Sequence, residues 1–176
     1  MAVTANGFVA RSDGSEDFLP SDGWHHLLKF TKEYGHLIWG RKTYELVKSW
    51  GGEYIRDLSK IPIIVVSRAE QISYPKNVIV ASSPTQAMEI VKDLGYSRAF
   101  LSGGPTLNTA FAKAGLIDEI ILNYNPIILG KGIQLFTDAD FELNLKLVET
   151  KVLSGDILRV RYGTSQLNPS VKHALT

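Results

Sequence analysis

Cysteine is absent from this 176-residue chain, which excludes disulfides, thiol catalysis and thiolate metal sites. The four histidines, His25, His26, His36 and His173, never fall at H-x-x-x-H spacing. His25 and His26 are neighbours and diverge by about 100° on a helix, so they do not converge on one ion, and no metal is expected. An excess of one charge is also missing. Nineteen basic against 18 acidic residues leave a net charge of +1, without the basic stripe of a nucleic-acid binder. No run approaches the ~18 apolar residues of a membrane span, and the first residues lack the charged and apolar regions of a signal peptide. A soluble, cytoplasmic protein with no nucleic-acid or membrane partner is expected. Two common phosphate motifs, G-x-G-x-x-G and G-x-x-x-x-G-K-[ST], are lacking as well.

What is present suffices for one globular domain with a proper core, since 44% of the residues are hydrophobic. Apolar spacing predicts a helix over residues 24–33, capped by Ser21 or Asp22, and a second over 42–50. Short apolar or β-branched runs predict strands at 36–40, 62–67, 77–81, 98–102 and 118–125. Ser83-Pro84-Thr85-Gln86 combines an N-cap, a first-turn proline and a capping-box glutamine, and that helix stops at Gly95. A further helix covers 105–114. Strands at 143–153 and 157–162 joined by Ser154-Gly155-Asp156 read as a hairpin.

Alternating strands and helices followed by a hairpin imply an α/β fold. Its sheet is mainly parallel with an antiparallel C-terminal edge, and helices cover both faces. Residues 1–163 form a single domain and 164–176 a polar, loosely held tail. The first strand is short, since only residues 1–4 precede the turn-like pair Asn6-Gly7.

The most informative stretch is Phe100-Leu101-Ser102-Gly103-Gly104-Pro105-Thr106-Leu107-Asn108. A strand, two glycines and a helix with proline in its first turn bring backbone N–H groups and the positive end of a helix dipole to one spot. Glycine lets an anion come close. In an open α/β sheet, ligands bind past the carboxyl ends of the strands. Two other strand ends carry Gly40-Arg41-Lys42-Thr43 and Ser67-Arg68, groups that suit phosphate because charge-assisted hydrogen bonds to it are strong. One glycine cradle and two separated cationic ends fit a ligand with phosphates at two well-spaced places, the shape of NADPH.

Five segments in order, Ala2-Val-Thr-Ala-Asn-Gly-Phe-Val-Ala10, Gly40-Arg-Lys-Thr-Tyr-Glu45, Val66-Ser-Arg68, Leu101-Ser-Gly-Gly-Pro-Thr-Leu107 and Pro126-Ile-Ile-Leu-Gly-Lys-Gly132, resemble the dihydrofolate-reductase-like superfamily. The similarity is greatest to the branch typified by the C-terminal reductase domain of the riboflavin-biosynthesis deaminase–reductase. It spans roughly residues 1–163, with no deaminase domain. The resemblance implies a three-layer α/β/α fold and NADPH-dependent hydride transfer to a small pteridine- or pyrimidine-like heterocycle. By the same resemblance Gly40, Arg41, Lys42 and Thr43 bind cofactor phosphate, and Ser67 and Arg68 receive the adenosine 2′-phosphate. Ser102, Gly103, Gly104, Thr106 and Leu107 hold the diphosphate, and Ala2, Val9 and Ala10 line the nicotinamide. Relatives in that branch are often homodimers, and the terminal hairpin offers the edge for one.

Folate reductases resemble one another in a carboxylate early in the first helix. In the gap-free register set by Gly40-Arg41 that position falls on Trp24, which leaves Asp22, a cap residue, as the nearest acid. Asp13, Glu16 and Asp17 lie in the loop before it. Trp24 and Trp39 are candidates to stack on a flat substrate, or else to pack in the core. A non-catalytic ligand-binding module and a true dihydrofolate reductase are the alternatives these residues leave open.

Overall fold

The computed structural model describes residues 1–20, 23–68, 73–164 and 174–175. Ala2–Thr4 (β1) and Phe8–Ala10 (β2) are separated by a turn in which Gly7 takes a φ of 90°. Then follow Gly23–Tyr34 (α1), Leu37–Gly40 (β3), Arg41–Trp50 (α2), Gly52–Asp57 (α3), Ile63–Val66 (β4), Val78–Ala81 (β5) and Pro84–Asp93 (α4). The rest is Phe100–Leu101 (β6), Pro105–Lys113 (α5), Glu119–Asn125 (β7), Ile133–Gln134 (β8), Leu145–Val152 (β9), Leu158–Thr164 (β10) and Ala174–Leu175 (β11). The predicted helices and strands all form, within a residue or two at most ends. The short elements β2, α3 and β8 lie outside the predicted pattern, because strands of two or three residues and a helix of six are too short to show a period. None of the helices among the described residues is long and apolar enough to cross a membrane.

The main sheet runs β5-β4-β3-β6-β11-β7-β10-β9. All pairs from β5 to β7 are parallel, and β10 pairs antiparallel with both β7 and β9. The hairpin edge is therefore where the sequence placed it. Because β10 occupies one side of β7, β1 and β11 share the other: β1 runs beside Asn123–Asn125 and β11 beside Glu119–Ile120. Of the expected loose tail, residues 165–173 and 176 lie outside the described residues, and the described ones belong to the sheet. Thr164 closes β10, 2% exposed, and β11 takes the place next to β7 that the three residues of β1 leave open. Polar composition did not disclose that role, since a backbone ladder is indifferent to side chains.

Period-two alternation sorts the strands between two cores. Leu37, Trp39, Ile63, Val65 and Phe100 face α1 and α2 with Tyr34, Tyr44 and Val47. Ile38, Ile64 and Leu101 face α4 and α5 with Ala87, Val91, Leu107 and Phe111. Burying each large apolar side chain contributes about 1.5–3 kcal/mol, so helices are held on both faces of the sheet.

His36 fixes the entry to β3. It is fully buried, with Nδ1 3.0 Å from Tyr34 O and Nε2 3.3 Å from Phe100 N. A carbonyl only accepts, so Nδ1 carries the hydrogen and Nε2 accepts from Phe100 N–H. Burial lowers the pKa of this imidazole and keeps it neutral.

Candidate functional site

Chain order β3, β4, β5 proceeds outward on one side, and β6 then returns to the other side of β3. The sheet thus reverses direction between β3 and β6, and the carboxyl ends there open into a crevice. Gly40 and Gly103 meet at this point: Gly40 N donates to Gly103 O at 2.9 Å, and Ser102 N donates to Ile38 O at 3.1 Å. Gly40 also pairs with Val66 across β4, which sets Ser67 beside it. The three strand ends singled out in the sequence therefore belong to three adjacent strands.

Two helices start at this junction. The caps are Gly40 for α2 and Gly104 for α5, and neither first turn is closed by a side chain. The contrast with α4 is informative. Away from the junction, its first turn is closed by Ser83, whose Oγ accepts from Gln86 N at 3.2 Å. Uncapped first turns leave N–H groups and the positive dipole end for an outside anion. The Gly103–Gly104 peptide is cis, and Gly103 has a φ of 86°. A Cβ on Gly104 would stand 2.9 Å from Thr43 Oγ1, so the two helix starts are packed as closely as the side chains allow.

The cleft running from this junction across the sheet has a volume of about 790 Å³, within the range of small-molecule sites. Of the residues predicted to bind cofactor, Ala2, Val9, Ala10, Lys42, Thr43, Ser102, Gly104 and Thr106 line it. Gly40, Gly103 and Leu107 stand immediately behind, with Leu107 7% exposed and its Cβ 3.6 Å from a Cβ built on Gly40. Arg41 and Arg68 are outside the wall: Arg41 pairs loosely with Glu45 at 3.9 Å, and Arg68 is exposed past β4. Ser67 is buried, and its N–H donates to Ala81 O at 2.9 Å.

Ala2, Val9 and Ala10 are brought to the cleft by backbone close contacts. Asn6 clasps Leu129, donating from Nδ2 to its carbonyl at 2.7 Å and accepting its N–H at 3.3 Å. A Cβ on Gly132 would be 2.5 Å from Ala10 O, so only glycine lets this segment approach β2. That accounts for the Pro126–Gly132 motif.

The far half of the cleft is aromatic. Trp24, Phe30, Trp50 and Tyr54 line it, with Trp24 and Tyr54 edge to face at 4.9 Å and Trp24 Nε1 donating to Asp57 Oδ2 at 2.9 Å. Trp39, the other proposed stacking residue, is 1% exposed and part of the core. It floors the cleft and offers no open face. Asp22 lies outside the described residues. Asn123 and Asn125 also line the wall and went unnoticed. Their signal was legible: two polar residues at alternate positions at the carboxyl end of an apolar strand.

Of the three acids in the loop before α1, two are turned outward. Asp13 accepts from Ser15 N and Oγ at 2.9 and 2.7 Å, and Asp17 pairs with Arg11 at 2.5 Å. Glu16 is half-buried and lines the cleft, and burial pushes its carboxyl up to about 7.

A parallel sheet with its crevice at the reversal point, flanked by two glycine-headed helix starts, defines an α/β domain of the dihydrofolate-reductase-like kind. Residues 1–159 match the RibD C-terminal domain family, and the chain belongs to it. The uncharacterized protein YyaP of Bacillus subtilis is 27% identical over 92% of this chain and 91% of its own length. In solved structures, a candidate riboflavin biosynthesis protein from Shewanella sp. PV-4 superimposes with a TM-score of 0.79 at 20% identity, over 94% of this chain and 97% of that one. RibD of Acinetobacter baumannii superimposes with 0.74 at 20% identity, over 94% of this chain and 56% of its own.

Proposed function

We propose that this chain is an NADPH-dependent reductase of a small, flat heterocycle of the pteridine or pyrimidine type. The observation that carries this reading is the junction of two uncapped helix starts, α2 and α5, at the point where the sheet reverses. The residues there fit a dinucleotide. Thr43, Thr106 and the first-turn N–H groups suit its diphosphate, and the close approach of Gly104 to Thr43, where a Cβ would stand 2.9 Å from Oγ1, supports a cradle formed by backbone. Ser67 and Arg68, one strand over, suit a 2′-phosphate, and Ala2, Val9 and Ala10 suit a flat ring. When bound, the reduced dinucleotide supplies a hydride. The chain's own part is to hold it, to seat the acceptor against Trp24, Phe30 and Tyr54, and to exclude water from the space between.

Fluorescence titration with NADPH and NADH, following the three tryptophans, tests the reading. Tight NADPH binding with NADH weaker by about tenfold, or ~1.4 kcal/mol, is expected. Failure of both to bind would leave a ligand-binding module in place of a reductase.

The proposed macromolecular partner is a second copy of the chain, meeting at β9. That edge strand is exposed on both faces, with Leu147 56%, Val148 55% and Val152 72% exposed, a liability that pairing removes. Sedimentation equilibrium should give a dimer, and Val148→Lys a monomer. A wild-type monomer at micromolar concentration would refute the pairing.

A further inference from the structure

We propose that Glu16 is the proton donor of this site, protonating the heteroatom of the C=N or C=O bond that accepts the hydride. The inference rests on the reductase reading above. Adding hydrogen across such a bond requires a hydride at carbon and a proton at the heteroatom. In the protonation step the Glu16 O–H bond breaks and the new N–H or O–H bond forms. The π electrons of the acceptor move to the heteroatom as the hydride reaches the carbon, and Glu16 is left as carboxylate, to be reprotonated by water from the open side of the cleft.

Three observations point to this residue. Glu16 supplies the only carboxyl group among the described residues that line the cleft. Its loop is braced, with Arg11 N donating to Ser15 O at 2.9 Å, Gly14 N to Arg11 O at 3.0 Å and Leu19 N to Glu16 O at 3.0 Å. Asp13 and Asp17 are occupied by Ser15 and Arg11 on the outer side, so the loop presents one acid inward.

The other titratable groups on the wall are spread over separate elements: His26 on α1, Lys42 on α2, Tyr54 on α3 and the amino group of Met1, which donates to Ile121 O at 2.7 Å. Lys42 sits at the phosphate junction. The walls from β7 and β8 contribute the amides Asn123 and Asn125 and the apolar Ile121 and Ile133. Desolvation is what holds a proton on Glu16 near neutrality, where a general acid is most effective.

The test uses the intact chain, its Glu16→Gln and Asp13→Asn variants, and 13C-carboxyl NMR of glutamate-labelled protein. A resonance missing from Glu16→Gln should titrate with a midpoint near 7. With 6-methyl-7,8-dihydropterin as the probe, Glu16→Gln should oxidise NADPH about 100-fold more slowly than wild type, with NADPH affinity unchanged by fluorescence. Asp13→Asn, an exposed acid on the outer side of the same loop, should keep the wild-type rate. A midpoint below about 5, or wild-type turnover in Glu16→Gln, would overturn the assignment. Absence of NADPH binding to the wild type would instead sink the reductase reading, and the carboxyl titration would still report on Glu16 itself.

Discussion

Gly104→Ala perturbs the junction by a single methyl group. The backbone at Gly104 has φ −80° and ψ −170°, which any residue adopts, so the cost is steric alone. The new Cβ would meet Thr43 Oγ1 at 2.9 Å. Overpacking of this kind costs about 1–3 kcal/mol when nothing can yield. Here the neighbour is a hydroxyl that can rotate away, so unfolding should shift by about 1 kcal/mol or less. The functional cost is larger, because rotation removes the hydroxyl from the start of α2. A hydrogen bond to a charged group is worth about 1.5–3 kcal/mol, so NADPH affinity should fall by about 10- to 150-fold. NADH carries the same diphosphate and should lose the same factor. Thr43→Ala in the Gly104→Ala background relieves the contact and should restore stability without restoring affinity. Fluorescence titration gives the dissociation constants and urea unfolding the stabilities. A folded Gly104→Ala protein that binds NADPH within twofold of wild type would refute the diphosphate assignment.

Arg68→Ala should weaken NADPH by about 10-fold or more and leave NADH unchanged, since only NADPH has a 2′-phosphate for a charge-assisted bond; an unchanged ratio of the two constants would remove Arg68 from the site. His36 should make stability depend on pH. Its folded pKa lies below the unfolded value of about 6.5, so its contribution is full above that pH. It is lost as pH falls from there toward the folded pKa, by at most about 1.4 kcal/mol per unit. Glu16 works the other way: raised to about 7, it contributes below its unfolded pKa and loses that contribution as pH rises toward 7. Wild type minus His36→Phe therefore isolates the histidine. In urea unfolding from pH 8 to pH 5, the variant should lose about 1–3 kcal/mol at pH 8, where Phe100 N–H is left without its acceptor, and less at pH 5. A constant difference across that range would refute the neutral-tautomer argument.

The regular elements were legible because their signals are local. Ser83-Pro84-Thr85-Gln86 starts a helix through bonds within one turn, and Ile63 to Val66 reads as a strand from β-branching alone. The junction of the two helix starts was legible too, since glycine-headed helix starts are written in consecutive residues. Trp39 was ambiguous: an indole in a strand does not reveal which face it takes, and burial turned it into the floor of the cleft. Asn123 and Asn125 were readable as alternating polar residues, but their wall matters only once β7 lies beside β1. Glu16 could not be told from Asp13 and Asp17 by composition, because all three share one loop and one charge.

By itself, then, the sequence determined the order of strands and helices, the antiparallel edge and the phosphate-suited strand ends. Each of these depends on residues within a few positions of one another. The tertiary structure decided that β3, β4 and β6 are neighbours and that the sheet reverses between β3 and β6. It also decided that β11 returns into the sheet and that one loop acid of three faces the cleft. Those outcomes follow from burying two apolar faces of a single sheet at once, a condition on the whole chain that no local window contains.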